Sequence, residues 1–230
     1  MKGTLAFDIY GTLIDTQGIT GMLEKHAGFK AEAFSQFWRQ KVLEYSFRRG
    51  LMDRYLDFAA CTGQALDYTL EVFGIPLSAR EKTALLDAYR ELPVFDDVSE
   101  GLSEAENAGF RIYAFSNGKR SDVEHLLDHG GIRKFFIDIV SVDEVRKFKP
   151  DPEVYRHFLK RSSSQPEQAW LVSSNPFDVL GAVSAGMKSV WVRRSLPVIM
   201  DPWEIAPGVT IEKLPDIVPA IASFDNTQVS

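Results

Sequence analysis

Polar side chains that could carry out chemistry stand directly after three short apolar segments of the sequence. They are Asp8 after the first segment, Ser116 and Asn117 after the second, and Ser173, Asn175 and Asp178 after the third. Short apolar runs that end at glycine or polar residues are typical of buried parallel strands. Since the carboxyl ends of parallel strands open onto one edge of a sheet, we expect these side chains to form one site.

A fourth candidate, Lys149, stands between two prolines and an apolar residue in the run Phe-Lys-Pro-Asp-Pro at residues 148–152. The two prolines predict an extended, rigid turn, in which the lysine side chain points either to solvent or to an inward partner. For a loop lysine taken alone, solvent is the commoner position. Beside three polar strand ends, we predict the inward position.

The elements that must position these residues fall into two groups. Residues 19–92 carry apolar positions at helical spacing, whereas strand and helix alternate from residue 94 to residue 222. Such alternation is typical of a parallel sheet with helices on both faces. The sequence therefore predicts an α/β fold with a Rossmann-like parallel-sheet core, residues 1–15 and 94–230. A helical cap, residues 16–93, is predicted to be inserted after the first strand.

Local signals predict where several of these elements begin and end. Ser78 and Asp151 are expected to cap the N-termini of helices, and Gly109 is expected to end one in a left-handed conformation. The last seven residues, 224–230, are mostly polar and predict a frayed end.

Composition and charge limit the classes of function. The 230 residues are 45% hydrophobic and 25% charged, which is ordinary for a globular protein. A net charge of −6 disfavours non-specific binding to nucleic acid or anionic membranes, and no segment approaches about 18 consecutive apolar residues. The single cysteine, Cys61, excludes an intramolecular disulfide and fits a reducing compartment. Because the N-terminal residues do not resemble a signal peptide, we expect a cytoplasmic protein.

Taken together, the four polar segments resemble the four motifs of the haloacid dehalogenase (HAD) superfamily, in the same order. Residues 8–12, Asp-Ile-Tyr-Gly-Thr, are similar to the first motif, whose aspartate is the nucleophile. Phosphatases of that superfamily carry a second aspartate where this chain has Tyr10. This difference resembles the L-2-haloacid dehalogenase branch, as do residues 38–45 of the predicted cap and residues 172–178 of the core.

The presence of Tyr10 in place of a second aspartate also affects metal binding. A phosphatase of this kind needs Mg²⁺, because its carboxylate must approach an anionic phosphate. Magnesium prefers oxygen ligands, but Tyr10 and Asn175 stand where two carboxylates would be needed. We therefore expect no metal and no cofactor. A carboxylate without a metal can attack a saturated carbon that carries a good leaving group.

The resemblance implies a hydrolytic dehalogenase of (S)-2-haloacids, in which Asp8 forms a covalent ester and Lys149 neutralises and aims Asp8. The residues implied to hold Lys149 and position the hydrolytic water are Ser173, Asn175 and Asp178, with Tyr155 in support and Thr12 positioning Asp8. Those implied to bind the substrate carboxylate are Ser116 and backbone N–H groups near Tyr10. Those implied to surround the halide are Arg39, Asn117 and Phe177. An apolar pocket is implied at Tyr10, Leu43 and Phe58.

Other interpretations stay open from the sequence alone. Arg39 could be a solvated helix arginine, and Tyr10 an ordinary core residue. The alternative functions are a HAD-type phosphatase with an altered Mg²⁺ site, acting on a small phosphorylated metabolite, and a non-enzymatic binding module. We expect a small halogenated carboxylic acid as the substrate and halide as a product. We expect neither nucleic acid nor membrane as a partner, and the aromatic-rich cap favours a homodimer.

Overall fold

The computed structural model describes residues 3–195 and 197–228. Within them, one parallel sheet contains the strands β1 (Thr4–Phe7), β2 (Arg111–Ser116), β3 (Asp138–Ser141), β4 (Ala169–Ser173), β5 (Lys188–Val192) and β6 (Val209–Ile211). Their order is β3-β2-β1-β4-β5-β6. The predicted α/β fold with a parallel sheet is confirmed. Because β1 lies between β2 and β4, the strand order reverses at β1 and leaves a crevice beyond its carboxyl end.

Helices cover the sheet and fill the long connection between β1 and β2. That connection contains α1 (Thr20–Ala27), α2 (Ala31–Leu51), α3 (Phe58–Phe73) and α4 (Ala79–Tyr89), followed by α5 (Val98–Asn107) before β2. The later helices are α6 (Arg120–His129), α7 (Pro152–Ser162), α8 (Pro176–Ser184) and α9 (Ile217–Gln228). None of the helices in the described residues combines the length and the apolar character needed to cross a membrane.

The predicted end signals have the expected geometry. Ser78 Oγ accepts the N–H of Glu81, and the Glu81 carboxylate accepts the N–H of Ser78, which forms a capping box at α4. Asp151 caps α7 in the same way by accepting a backbone N–H. Gly109, just after α5, has a φ of 83°, a conformation that glycine adopts at little cost. These three predictions are confirmed.

The chain crosses between the sheet and helices α1–α4 at two adjacent segments. The N–H of Asp15 donates to the carbonyl of Pro93 at 2.8 Å, and the N–H of Phe95 donates to the carbonyl of Leu13 at 3.0 Å. The outgoing and returning segments are therefore hydrogen-bonded to each other. The predicted division between core and cap lies at this crossing and stays a prediction.

The end of the chain differs from the expectation of a frayed tail. Helix α9 continues to residue 228. The ring of Phe224 packs edge-on against Trp170 with 5.2 Å between centroids, and Lys188 Nζ lies 2.9 Å from Asp225 Oδ1. These contacts hold the polar segment on the sheet, so the prediction is wrong for residues 224–228. The last two residues of that prediction lie outside the described part of the chain.

Candidate active site

Asp8 lies just beyond the carboxyl end of β1 and is 7% exposed. Its Oδ2 accepts three hydrogen bonds, from Asn175 Nδ2 at 2.7 Å, Thr12 Oγ1 at 2.8 Å and Ser173 Oγ at 3.1 Å. Its Oδ1 accepts one, from Lys149 Nζ at 3.1 Å. The two carboxylate oxygens therefore have unequal surroundings, and Oδ1 retains capacity for another partner.

Lys149 is buried, and each of its three ammonium hydrogens has an acceptor. Nζ lies 2.8 Å from Asp178 Oδ2, 2.9 Å from the carbonyl oxygen of Phe115 and 3.1 Å from Asp8 Oδ1. Asn117 Oδ1 accepts the backbone N–H of the lysine at 3.0 Å and so fixes its main chain. The lysine thus occupies the inward position and bridges two carboxylates.

The second carboxylate, Asp178, is fully buried at the start of α8. Its Oδ1 accepts the hydroxyl of Tyr155 at 2.8 Å. Burial raises the pKa of Asp178 to about 6, although the charge of Lys149 acts to lower it. Burial also acts to raise the pKa of Asp8, but there Lys149 and hydrogen bonds outweigh it and hold the pKa below its usual value. Asp8 is therefore ionised at neutral pH, as a nucleophile must be.

The loop after β1 folds so that it presents a donor to Asp8. Gly11 has a φ of 83°, which favours glycine, and its N–H donates to Ile14 at 2.8 Å. This N–H is engaged, so it is not one of the backbone groups near Tyr10 that could bind a substrate carboxylate. The N–H of Ser174 donates to Thr12 Oγ1 at 2.8 Å. Because Thr12 Oγ1 accepts that bond, its own hydrogen is directed to Asp8.

Arg39, on α2, reaches the ends of the central strands. Its Nη2 donates to the carbonyl of Tyr10 at 2.9 Å and lies 3.4 Å from Asn175 Oδ1. Its Nη1 is buried and has no hydrogen-bond partner among the described residues. The alternative of a solvated helix arginine is therefore wrong.

Ser116 and Asn117 follow β2, the strand next to β1. Ser116 is fully buried, and its Oγ accepts the N–H of Gly118 at 3.0 Å. We find no acceptor for its hydroxyl hydrogen within residues 3–195 and 197–228, so the Ser116 hydroxyl can still donate to a ligand. The bond to Lys149 fixes the orientation of the Asn117 side chain.

Aromatic rings border the site on the side of α3 and α4. The ring of Tyr10 lies 5.2 Å from that of Phe58 and 6.1 Å from that of Tyr89. A cavity of about 240 Å³ adjoins these three rings and Gly118. Tyr10 is thus a buried residue that also forms part of the wall of a cavity. Its interpretation as a core residue is therefore compatible with its interpretation as a pocket residue.

Two further residues implied by the resemblance lie on the α2 side. Phe177, at the start of α8, meets Phe47 of α2 edge-on with 5.1 Å between ring centroids. Leu43 is half-buried one turn after Arg39, so both project from the same face of α2. Phe177 and Leu43 therefore lie at the boundary between the helical segment and the sheet.

Ser173 and Asn175 make contacts other than those implied. The resemblance assigned them to Lys149, whereas both donate to Asp8 Oδ2. The lysine has no hydrogen left for them, because its three acceptors are already in place. The implied contact with Lys149 is therefore wrong for these two residues, whereas Asp178 contacts Lys149 directly. That Ser173 and Asn175 position the hydrolytic water stays a prediction.

A pair of charged residues behind the loop, Arg194 and Asp97, was not predicted from the sequence. Arg194 Nη1 lies 2.7 Å and 2.6 Å from the two carboxylate oxygens of Asp97. Its Nε and Nη2 donate to the carbonyl of Thr12 at 3.1 Å and 2.9 Å. Asp97 also accepts the N–H of Leu214 at 2.9 Å. This Arg194–Asp97 pair fixes the main chain of Thr12, and no motif in the sequence marks either residue.

Comparisons with known proteins agree with this geometry. The family model for haloacid dehalogenase-like hydrolases matches residues 3–186. (S)-2-haloacid dehalogenase 1 from Pseudomonas sp. (strain CBS-3) is 40% identical over 191 residues, 82% of this chain and 83% of that protein. The (S)-2-haloacid dehalogenase from Pseudomonas sp. (strain YL) is 35% identical over 195 residues, 85% and 84% of the two chains. The structure of L-2-haloacid dehalogenase from Xanthobacter autotrophicus with chloropropionic acid covalently bound has a TM-score of 0.90 and 30% identity, covering 96% of this chain and 99% of that one.

Proposed function

Since the chain belongs to the haloacid dehalogenase-like hydrolase family, we propose that it is a hydrolytic dehalogenase of 2-haloacids such as haloacetate and 2-halopropionate. It converts (S)-2-haloacids to (R)-2-hydroxy acids and halide through an ester of Asp8. The observation that carries this proposal is the unequal environment of the Asp8 oxygens, with three donors on Oδ2 and Lys149 alone on Oδ1. The two Pseudomonas relatives and the covalent adduct of the Xanthobacter enzyme support it.

In the first step, Oδ1 of Asp8 attacks carbon 2 of the substrate and the halide leaves with the bonding electrons. We assign the attack to Oδ1 because three hydrogen bonds already use the lone pairs of Oδ2. Displacement at a saturated carbon is in line and inverts it. An (S)-2-haloacid therefore gives an ester of (R) configuration.

In the second step, water attacks the carboxyl carbon of the Asp8 ester, and negative charge develops on Oδ2. The donors directed at Oδ2 stabilise that charge as an oxyanion hole does; they are Thr12, Ser173 and Asn175. Asp178, with its pKa raised to about 6, suits the proton of the attacking water. Lys149 protonates the departing Oδ1 and regains a proton from Asp178, 2.8 Å away.

The remaining residues recognise the substrate. The Ser116 hydroxyl has a hydrogen to donate to the substrate carboxylate. The residues proposed to surround the halide are Arg39, Asn117 and Phe177. Those proposed to take the alkyl group are Tyr10, Leu43 and Phe58, of which Tyr10 and Phe58 line the cavity of about 240 Å³.

Replacing Arg39 by alanine is expected to lower chloride release by roughly 30-fold to 1000-fold, since a donor aimed at a developing anion contributes ~2 to 4 kcal/mol. Arg48→Ala is the matched control, because Arg48 lies on the same helix, is 63% exposed and pairs with Glu44. Its rate should stay within about 2-fold of the wild type. Chloride release from 2-chloropropionate measures both variants, and equal rates would remove Arg39 from the halide site.

Halide release is expected to survive EDTA. Asn175 Oδ1 faces Arg39, which has only donors, so Asn175 directs its NH₂ group and not an oxygen to Asp8. Tyr10 directs its ring to Phe58. Neither side chain supplies the oxygen ligand that Mg²⁺ would need beside Asp8. In the described residues, no three His, Cys, Asp or Glu side chains are grouped to hold a metal.

The measurement compares chloride release with and without EDTA and tests hydrolysis of an aryl phosphate with Mg²⁺ in parallel. Phosphate release that depends on Mg²⁺, with no chloride release from any 2-haloacid, would support the phosphatase alternative instead.

The rate of halide release is expected to fall as the pH drops through about 6, the raised pKa of Asp178. Once Asp178 is protonated, Lys149 has Asp8 as its only carboxylate partner, and this tighter pairing makes Asp8 a weaker nucleophile. The folded protein holds the Asp178 proton more tightly than the unfolded chain. The contribution of Asp178 to stability therefore decreases as the pH rises from about 4 to about 6. A profile of kcat/KM against pH tests the predicted fall in rate. A profile whose midpoint lies near pH 4 would contradict the assignment of that fall to Asp178.

We also propose a homodimer and a cytoplasmic location. Tyr68 and Val72 on α3 are 41% and 52% exposed, which supports an interface on the outer face of the helical segment. The single cysteine, Cys61, is buried and fits a reducing compartment. The molecular mass in solution tests the dimer, and the mass of a monomer would contradict it.

A further inference from the structure

Two buried polar atoms beside the loop after β1, Arg39 Nη1 and the hydroxyl oxygen of Tyr89, make no hydrogen bond of full geometry with the described residues. Tyr89 ends α4 and is 5% exposed. Its ring lies almost parallel to that of Tyr10, at 6.1 Å and 18°, and 5.1 Å from that of Trp38. Tyr89 is therefore held firmly beside the loop after β1, although no motif in the sequence marks it.

The two unpaired atoms are close neighbours. Arg39 follows Trp38 in α2, and its Nη2 is fixed on the carbonyl of Tyr10. Tyr10 and Trp38 are also the residues whose rings pack against Tyr89 within the described part of the chain. Burial raises the pKa of Tyr89, whereas the charge of Arg39 and a side-chain interaction with Arg39 that falls outside full hydrogen-bond geometry act to lower it, so the two groups are adjacent.

The chemistry of these atoms identifies the ligand that would satisfy them. Buried polar groups nearly always have hydrogen-bond partners, and an unpaired one is costly. A guanidinium N–H can only donate, and a phenol O–H can donate as well. A single acceptor that contacts both would satisfy both, and an anion beside the guanidinium makes the strongest bond of this kind.

We propose that Tyr89 is a further donor to the leaving halide, with its O–H and the Nη1–H of Arg39 holding the anion as it departs. The inference rests on the proposed dehalogenation. As the bond between Asp8 Oδ1 and carbon 2 forms, the carbon–halogen bond breaks and the halide keeps the electron pair. Tyr89 keeps its proton throughout and contributes a hydrogen bond only.

This role predicts an effect that depends on the halogen. A smaller halide concentrates its negative charge and accepts hydrogen bonds more strongly, so a lost donor costs more for chloride than for bromide or iodide. If Tyr89 only packed the site, its replacement would slow all three halogens by the same factor.

The test uses Tyr89→Phe, which keeps the ring between Tyr10 and Trp38 and removes only the hydroxyl. First-turnover halide release is measured with chloroacetate, bromoacetate and iodoacetate, together with inhibition by added chloride. We expect the rate with chloroacetate to fall by about 10-fold to 100-fold, with smaller losses for bromoacetate and iodoacetate. The inhibition constant for chloride should rise in the variant.

Tyr45→Phe is the matched control. Tyr45 is half-buried on α2, the helix of Arg39, and its ring faces Tyr68 at 6.2 Å. This variant should keep wild-type rates with all three acids. An equal loss for the three halogens in Tyr89→Phe, or no loss with an unchanged inhibition constant, would overturn the role of Tyr89. If the wild type releases no halide from any of the acids, the proposed dehalogenation itself fails, which is a different outcome.

Discussion

Replacing Asp8 by asparagine is expected to lower halide release by about 10⁴-fold or more, the scale of losing a nucleophile. The amide oxygen will take the place of Oδ2, because three donors are directed there. The amide NH₂ then faces Lys149 Nζ, so two donors meet and no attacking oxygen remains. Asp15→Asn is the matched control, because the side chain of Asp15 caps a short turn by accepting the N–H of Gln17. Substantial halide release by Asp8→Asn would show that another group attacks the substrate.

Isotope labelling separates the covalent role of Asp8 from that of a general base. In a single turnover in ¹⁸O-water, water attacks the Asp8 ester, so the label enters Asp8 and the hydroxy acid leaves with the original Oδ1. If Asp8 instead activated water for direct attack, the product would carry the label and the protein would not. Both routes invert carbon 2, so stereochemistry cannot distinguish them. Mass analysis of the peptide that contains Asp8 decides the point.

Replacing Lys149 by methionine is expected to lower both the rate of halide release and the free energy of unfolding. Asp8 and Asp178 would lose the cation that lies between them, at a cost of about 3 to 5 kcal/mol in the free energy of unfolding. The rate should fall by about 10³-fold, since no charge then stabilises the departing Oδ1. Denaturant unfolding and halide release measure the two effects.

A second variant separates these effects. Lys149→Met combined with Asp178→Asn removes a buried charge together with its partner, so part of the stability should return while activity stays low. Lys147→Met is the control, because Lys147 forms an exposed pair with Asp53 and should change neither quantity much. Full activity in Lys149→Met would contradict the assignment of the lysine to the departing oxygen.

The sequence predicted which side chains lie at the site, because strand ends are readable from apolar runs. Asp8, Ser116 and Ser173 end or follow neighbouring strands, and parallel pairing brings such positions together. Which hydrogen-bond partner each of these side chains has could not be predicted in the same way. Whether Asn175 contacts Lys149 or Asp8 depends on the relative orientation of two loops to within about one bond length, which no residue pattern specifies.

Other features missed from the sequence depend on single long-range contacts. Phe224 is an apolar residue at the start of a mostly polar tail, and its contact with Trp170 keeps α9 helical beyond the predicted end. Arg194 and Asp97 are 97 residues apart in the sequence and meet only in the folded chain. Composition along the chain carries little information about such pairs.

The crossing between Asp15 and Pro93 has a consequence for how this protein could change by recombination. Because the outgoing and returning segments are hydrogen-bonded to each other, a different helical segment could be spliced in at these two points with little change to the sheet. The spliced segment would bring its own residues at the positions of Arg39 and Tyr89, while Asp8 and Lys149 would stay. The part of the proposed halide site that Arg39 and Tyr89 supply is thus encoded on a different stretch of the gene from Asp8 and Lys149, and it could be exchanged while Asn117 and Phe177 stay with the sheet.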